Sequence, residues 1–150
     1  MYKRILVPFD GSGPSQRALQ EAIKVAKDGG AKVRLLHIVD EFLLGGSFDA
    51  SYISDAYYAD AIAALQKSGR QILQQAEEIA RSHGIESEST LLETIGTRVA
   101  DHIVQQANDW QADLIVMGTH GRRGLRRIVL GSDAKWVLRS TLTPELLVGG

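Results

Sequence analysis

The 150-residue sequence contains no cysteine. Disulfides, thiolate metal sites and thiol nucleophiles are thereby excluded, and a reducing compartment fits. No stretch reaches 18 consecutive apolar residues, so a membrane-spanning helix is not expected. Charge of one sign is missing too: 17 Lys and Arg against 18 Asp and Glu leave a formal net charge of −1. A chain so balanced has no global basic field to draw nucleic acid or an anionic membrane, although local basic patches can persist. Met1-Tyr2-Lys3-Arg4 leads straight into a short strand-like run rather than the apolar core of a signal peptide, and a cytoplasmic protein is expected. Several catalytic signatures are also absent. There is no G-x-x-x-x-G-K-[ST] loop, no H-R-D or D-F-G set and no G-x-S-x-G elbow. A phosphorelay receiver would want paired acids after its first strand, and here Asp10 stands alone.

What is present alternates. Ile5, Leu6 and Val7 form a short apolar strand with Pro8 near its end, followed by the loop Asp10-Gly11-Ser12-Gly13-Pro14. Ala18, Leu19, Ala22, Ile23 and Ala26 then recur at helical spacing until Gly29-Gly30. Val33 to Val39 reads as a second strand. It contains His37, which we expect to be a satisfied interior or sheet-edge histidine without a catalytic role. Phe42 to Ser54 keeps no period and reads as a surface insertion or, alternatively, a lid. A long helix is predicted over Asp55 to His83, with Gly69 as a weak point, and an outer strand over Glu86 to Leu92. A further helix is predicted from Gly96-Thr97 to Asn108-Asp109, and a last strand over Pro144 to Val148. Strands alternating with helices predict one α/β domain over residues 1–150, built on an open parallel sheet of five strands with helices on both faces.

The most informative stretch runs from Asp113 to Arg139. Leu114, Ile115, Val116 and Met117 suit a strand buried on both faces, and Gly118 ends it. The pattern that follows, through Gly121 to Gly131 and Ser132, is G-x-x-G-x9-G-S. Glycine backbone can approach an anion closely. Ser132, ahead of Asp133 and the periodic Ala134, Val137 and Leu138, is expected to cap a helix whose first N–H groups and positive dipole end suit phosphate.

At these residues the sequence resembles the universal stress protein family, whose nucleotide-binding members carry this glycine pattern after the fourth strand. The resemblance extends to I-L-V-P-F-D-G-S at Ile5 to Ser12 and to L-L-H-I-V-D at Leu35 to Asp40, and so covers nearly the whole chain. It implies strand order 3-2-1-4-5, with Asp10 and Gly118 at the carboxyl ends of the two strands where the order reverses. It also implies ATP, with or without Mg²⁺, as ligand. Pro8 and Ile38 would line the adenine with Met117 beneath it, and Asp10 would accept from the ribose hydroxyls. Gly118, His120 and Gly121 would lie against ribose and phosphates, Gly131 and Ser132 would donate to phosphate, and Arg122 and Arg123 would supply charge beside it. Each also has a plainer use: Ile38 and Met117 as core, Asp10 as a turn residue, and the arginines as a solvated basic run.

The function these residues imply is a nucleotide-dependent stress or signalling module, with no catalytic and no metal-ligating residue assigned. Two alternatives stay open. One is a slow ATPase or phosphate-transfer protein using the same cleft, with Asp10 and His120 as the only pair able to handle a proton. The other is a scaffold for a protein partner with an empty cleft. Asp133 favours the scaffold, because it stands where the family commonly has a small apolar residue and its carboxylate repels phosphate. The resemblance further implies a homodimer through Pro144 to Val148.

Overall fold

The strands form because short apolar runs can be buried on both faces of a sheet, and in this chain two helices cover each face. The computed structural model describes residues 1–41, 54–119 and 131–149. In chain order the elements are β1 (Arg4–Pro8), α1 (Gly13–Gly29), β2 (Lys32–Asp40), α2 (Asp55–Ser82), β3 (Ser87–Thr94), α3 (Val99–Trp110), β4 (Leu114–Gly118), α4 (Ser132–Ser140) and β5 (Glu145–Val148). The strands make one five-stranded sheet in the order β3-β2-β1-β4-β5, and every pairing is parallel. This is the expected α/β architecture and strand order.

The two-residue period of the strands divides the core. Ile5, Val7, Val33, Leu35, Leu114 and Val116 face α1 and α2, packing with Leu19, Ile23 and Leu73. Leu6, Leu36, Ile115 and Met117 face α3 and α4, packing with Ile103, Ala107 and Val137. Asp113 fixes where β1 and β4 meet: its carboxylate accepts from the backbone N–H groups of Lys3 and Arg4 at 2.8 and 3.0 Å, and its own N–H donates to the Arg4 carbonyl. On the outer side of the second layer, Trp136 of α4 donates its indole N–H to Asp101 of α3 at 2.7 Å. The Arg98 guanidinium lies 4.0 Å from the centre of the same ring.

Several boundaries differ from the sequence reading, each for a local reason. Ser12 caps α1, accepting from the Ser15 N–H with Pro14 in the first turn. α3 begins at Val99 rather than Gly96-Thr97, because the hydroxyl of Thr94 donates to the Thr97 carbonyl and holds that stretch as a turn. α3 then runs on to Trp110 and stops at Gln111, which takes φ 58°. α2 passes through Gly69 as continuous helix, so Gly69 is not a break. It is a contact point: a Cβ there would lie 2.7 Å from His37 Cδ2 and 2.9 Å from Leu91 Cδ1. Only a residue without Cβ lets α2 descend so far onto β2 and β3. Ser54 caps α2, while residues 42–53, including most of the stretch read as an insertion or lid, lie outside the described residues.

Candidate functional site

β1 and β4 are neighbours at the centre of the sheet, yet the chain leaves them in opposite directions. After β1 it turns to α1 on one face, and after β4 it comes to α4 on the other. The carboxyl ends of such a strand pair leave a crevice, where open α/β sheets bind their ligands.

The loop after β1 is held residue by residue. Phe9 continues the ladder, its N–H donating to the Leu36 carbonyl at 2.7 Å, and its ring is buried in the α1–α2 layer. Asp10 follows, and its Oδ1 accepts from the Ser12 N–H at 2.9 Å across Gly11. The plainer use of Asp10 is therefore real, since it closes a turn. A carboxylate accepts several hydrogen bonds, so closing a turn does not exhaust it.

Pro8, Ile38 and Met117 come together on the α3–α4 side. Pro8 stands two residues beyond Leu6, Met117 two beyond Ile115, and Leu6 and Ile115 are register partners, so Pro8 and Met117 stand level across β1 and β4. Ile38 is two residues past Leu36, the partner of Pro8 on β2. Met117 is buried, while Pro8 and Ile38 are half-buried at the rim. Three apolar side chains from three adjacent strands thus form one patch beside Asp10.

At the end of β4, Gly118 has a packing reason that its sequence context did not reveal. A Cβ there would lie 2.7 Å from Pro14 Cβ and 2.9 Å from the Pro14 carbonyl carbon, so Gly118 lets the first turn of α1 rest on β4. Thr119 then donates its N–H to the Val148 carbonyl and accepts, on its own carbonyl, the Gly131 N–H at 2.5 Å. Here the expected cap is corrected. Gly131 is the N-cap of α4, its carbonyl receiving the Lys135 N–H, and Ser132 is the first helical residue. The Gly131 N–H is spent on Thr119, so the donors at the mouth of α4 begin at the exposed Ser132. Asp133 is exposed in the same first turn. His120, Gly121, Arg122 and Arg123 lie outside the described residues.

Among the expected site residues, the structure brings Pro8, Asp10, Ile38, Met117, Gly118, Gly131 and Ser132 to the carboxyl edge of the sheet. Sequence reasoning passed over Ser12, Phe9 and Thr119, which hold the two turns. For Ser12 a signal was present, a serine two positions before a proline at a helix start.

Comparison with known proteins identifies the family. A model of the universal stress protein family matches residues 1–149. Universal stress protein MJ0531 of Methanocaldococcus jannaschii is 35% identical over 151 residues, spanning 99% of this chain and 82% of that protein. The solved structure of hypothetical protein MJ0577 superposes with a TM-score of 0.84 at 25% identity, covering 100% of this chain and 97% of the other. A universal stress protein from Archaeoglobus fulgidus, solved in complex with dAMP, gives a TM-score of 0.66 at 26% identity over 98% of each chain. With the sheet order in agreement with that match, this chain belongs to the universal stress protein family.

Proposed function

We propose that this chain binds an adenine nucleotide, ATP by preference, in the crevice between the carboxyl ends of β1 and β4, and serves as a nucleotide-dependent stress or signalling switch with little or no turnover. The observation that carries the reading is the grouping of unlike chemistries at one edge. A patch of Pro8, Ile38 and Met117 suits a flat apolar base, the Asp10 carboxylate suits a diol, and the start of α4 suits phosphate. The related Archaeoglobus protein solved with dAMP supports the choice of adenine. Ser132 supplies donors to the phosphates, with His120, Gly121, Arg122 and Arg123 completing the phosphate side and Gly118 and Gly131 shaping the turn. Any Mg²⁺ would arrive with the triphosphate as its counter-ion, with no residue of this chain assigned to it.

The whole chain acts as one universal stress protein domain in the cytoplasm, and it works as a homodimer. β5 pairs with β4 on one side only, among the described residues, and Leu146 and Leu142 present exposed apolar surface on and beside it. Calorimetric titration with ATP and with adenosine at two salt concentrations tests the ligand. Both should bind, and ATP binding alone should weaken markedly with salt, because phosphate contacts are electrostatic. Binding of neither at millimolar concentration overturns the reading in favour of a partner-binding scaffold. A monomer mass by light scattering at micromolar concentration overturns the dimer.

A further inference from the structure

On the face of the sheet opposite Pro8 and Met117, directly under the turn that carries Asp10, lies His37. It is 8% exposed, and its Nδ1 is 2.8 Å from the Phe9 carbonyl oxygen. A carbonyl can only accept, so Nδ1 carries a proton and donates. The Phe9 N–H is bound to the Leu36 carbonyl at 2.7 Å. Both backbone polar groups of Phe9 are therefore held by consecutive residues of β2, and the next residue along the chain is Asp10. On its other side the imidazole meets α2, where a Cβ on Gly69 would come within 2.7 Å of Cδ2 and 3.2 Å of Nε2. The ring cannot swing off the Phe9 carbonyl toward α2 without striking helix backbone. The same helix backs the following residue, since a Cβ on Gly11 would touch Ile72 at 3.6 Å. Beyond Asp10, the Ser12 N–H holds the carboxylate at 2.9 Å.

We propose that His37 is a positioning residue of the nucleotide crevice: clamped between α2 and the Phe9 carbonyl, it fixes the peptide that precedes Asp10 and so aims that carboxylate at the ribose hydroxyls. The proposal rests on the nucleotide reading above. A histidine that merely filled the core would be replaceable by an apolar side chain at a cost in stability alone, whereas a positioning histidine is needed for its N–H.

The test compares His37→Leu, which fills the space without a donor, with His37→Asn, whose amide N–H falls near the position of Nδ1. Three quantities are measured in each: thermal stability, hydrogen exchange of the Ser12 amide in nucleotide-free protein, and adenosine affinity by calorimetry. His37→Leu should exchange the Ser12 amide about tenfold faster and bind adenosine about tenfold more weakly, the loss of one well-made buried hydrogen bond. His37→Asn should stay within about threefold of wild type in both, whatever stability it loses by its smaller size. The proposal is overturned if His37→Leu keeps wild-type exchange and affinity. It is equally overturned if the two variants lose both in step with their loss of stability. Wild-type protein that binds no adenosine would instead bring down the nucleotide reading, and Ser12 exchange would still decide whether His37 holds the Asp10 turn. Should His37→Leu fail to fold, Gly69→Ala pushes a Cβ against the ring and must accelerate Ser12 exchange. An unchanged rate there overturns the proposal.

Discussion

Replacing Gly118 by alanine adds one methyl group at the point where β4 meets the first turn of α1. The new Cβ would sit 2.7 Å from Pro14 Cβ, 2.9 Å from the Pro14 carbonyl carbon and 3.0 Å from its oxygen. Gly118 is not among the positive-φ residues, so backbone strain plays no part and the effect is steric. Neither a proline ring nor a peptide carbonyl can turn aside as a side chain can. Relief requires α1 to lift from the sheet, against the buried packing of Ala18, Leu19 and Ala22. Overpacking of this kind costs about 3 kcal/mol at the upper end of its usual range. Restricting the unfolded chain returns up to about 1 kcal/mol. The net loss should be about 2 kcal/mol, which in a chain of this size lowers Tm by about 4–8 °C. Urea and thermal unfolding measure it directly. Pro14→Gly in the same background removes the 2.7 Å contact and leaves the carbonyl contacts, so a double-mutant cycle should show partial relief with a coupling of about 1 kcal/mol. A Gly118→Ala loss below about 0.5 kcal/mol, or a cycle without coupling, would refute the claim that this glycine exists for packing.

Three further outcomes follow from the geometry. Gly69→Ala should destabilise by about 1–3 kcal/mol in urea unfolding, although alanine is by about 1 kcal/mol the better helix former, because the methyl meets His37 and Leu91. Ser132→Ala should leave stability within about 0.5 kcal/mol, since Gly131 and not Ser132 is the cap, and calorimetry should show ATP affinity falling more than adenosine affinity. Glu145 carries a buried Oε1 without a partner among the described residues, and burial pushes its carboxyl above the ordinary value of 4.5. Between that value and the raised one, the folded state binds more protons than the unfolded state. The contribution of Glu145 to stability is then most favourable below the unfolded value and declines as pH rises through this window. Glu145→Gln should raise Tm at pH 7, with the gain shrinking as thermal unfolding is followed down toward pH 4.

The period-2 and period-3.6 patterns carried the architecture, because each strand is buried on both faces or on one, and each helix shows a single apolar stripe. Leu114 to Met117 and Ala18 to Ala26 left little choice of element. Strand order was another matter: periodicity does not say which strand lies beside which, and the order came from the family likeness of Ile5 to Ser12 and the glycine turn. His37 was legible as a satisfied interior residue, although its partner was not. What escaped the sequence were contacts made between elements. Gly69 and Gly118 read as a weak point and a ligand turn, but their environments are His37 and Pro14, distant in sequence and placed only by the packed helices. The sequence reading placed the helix cap on Ser132, whereas Gly131 takes that position, tied to Thr119 by a bond that no local pattern encodes.

That bond has an evolutionary consequence. Thr119 and Gly131 are tied to each other at 2.5 Å, and Thr119 is tied in turn to Val148, so the two ends of the intervening eleven residues are welded to the sheet whatever their sequence. A chain segment closed at its base can be exchanged or lengthened almost independently of the scaffold, since doubling its length adds only about 0.6 kcal/mol of closure entropy. Substitution within residues 120–130 therefore leaves these closing bonds in place, because backbone atoms of Thr119, Gly131 and Val148 make them. Transplanting the corresponding segment of a relative between Thr119 and Gly131 should be among the most tolerant exchanges this chain allows.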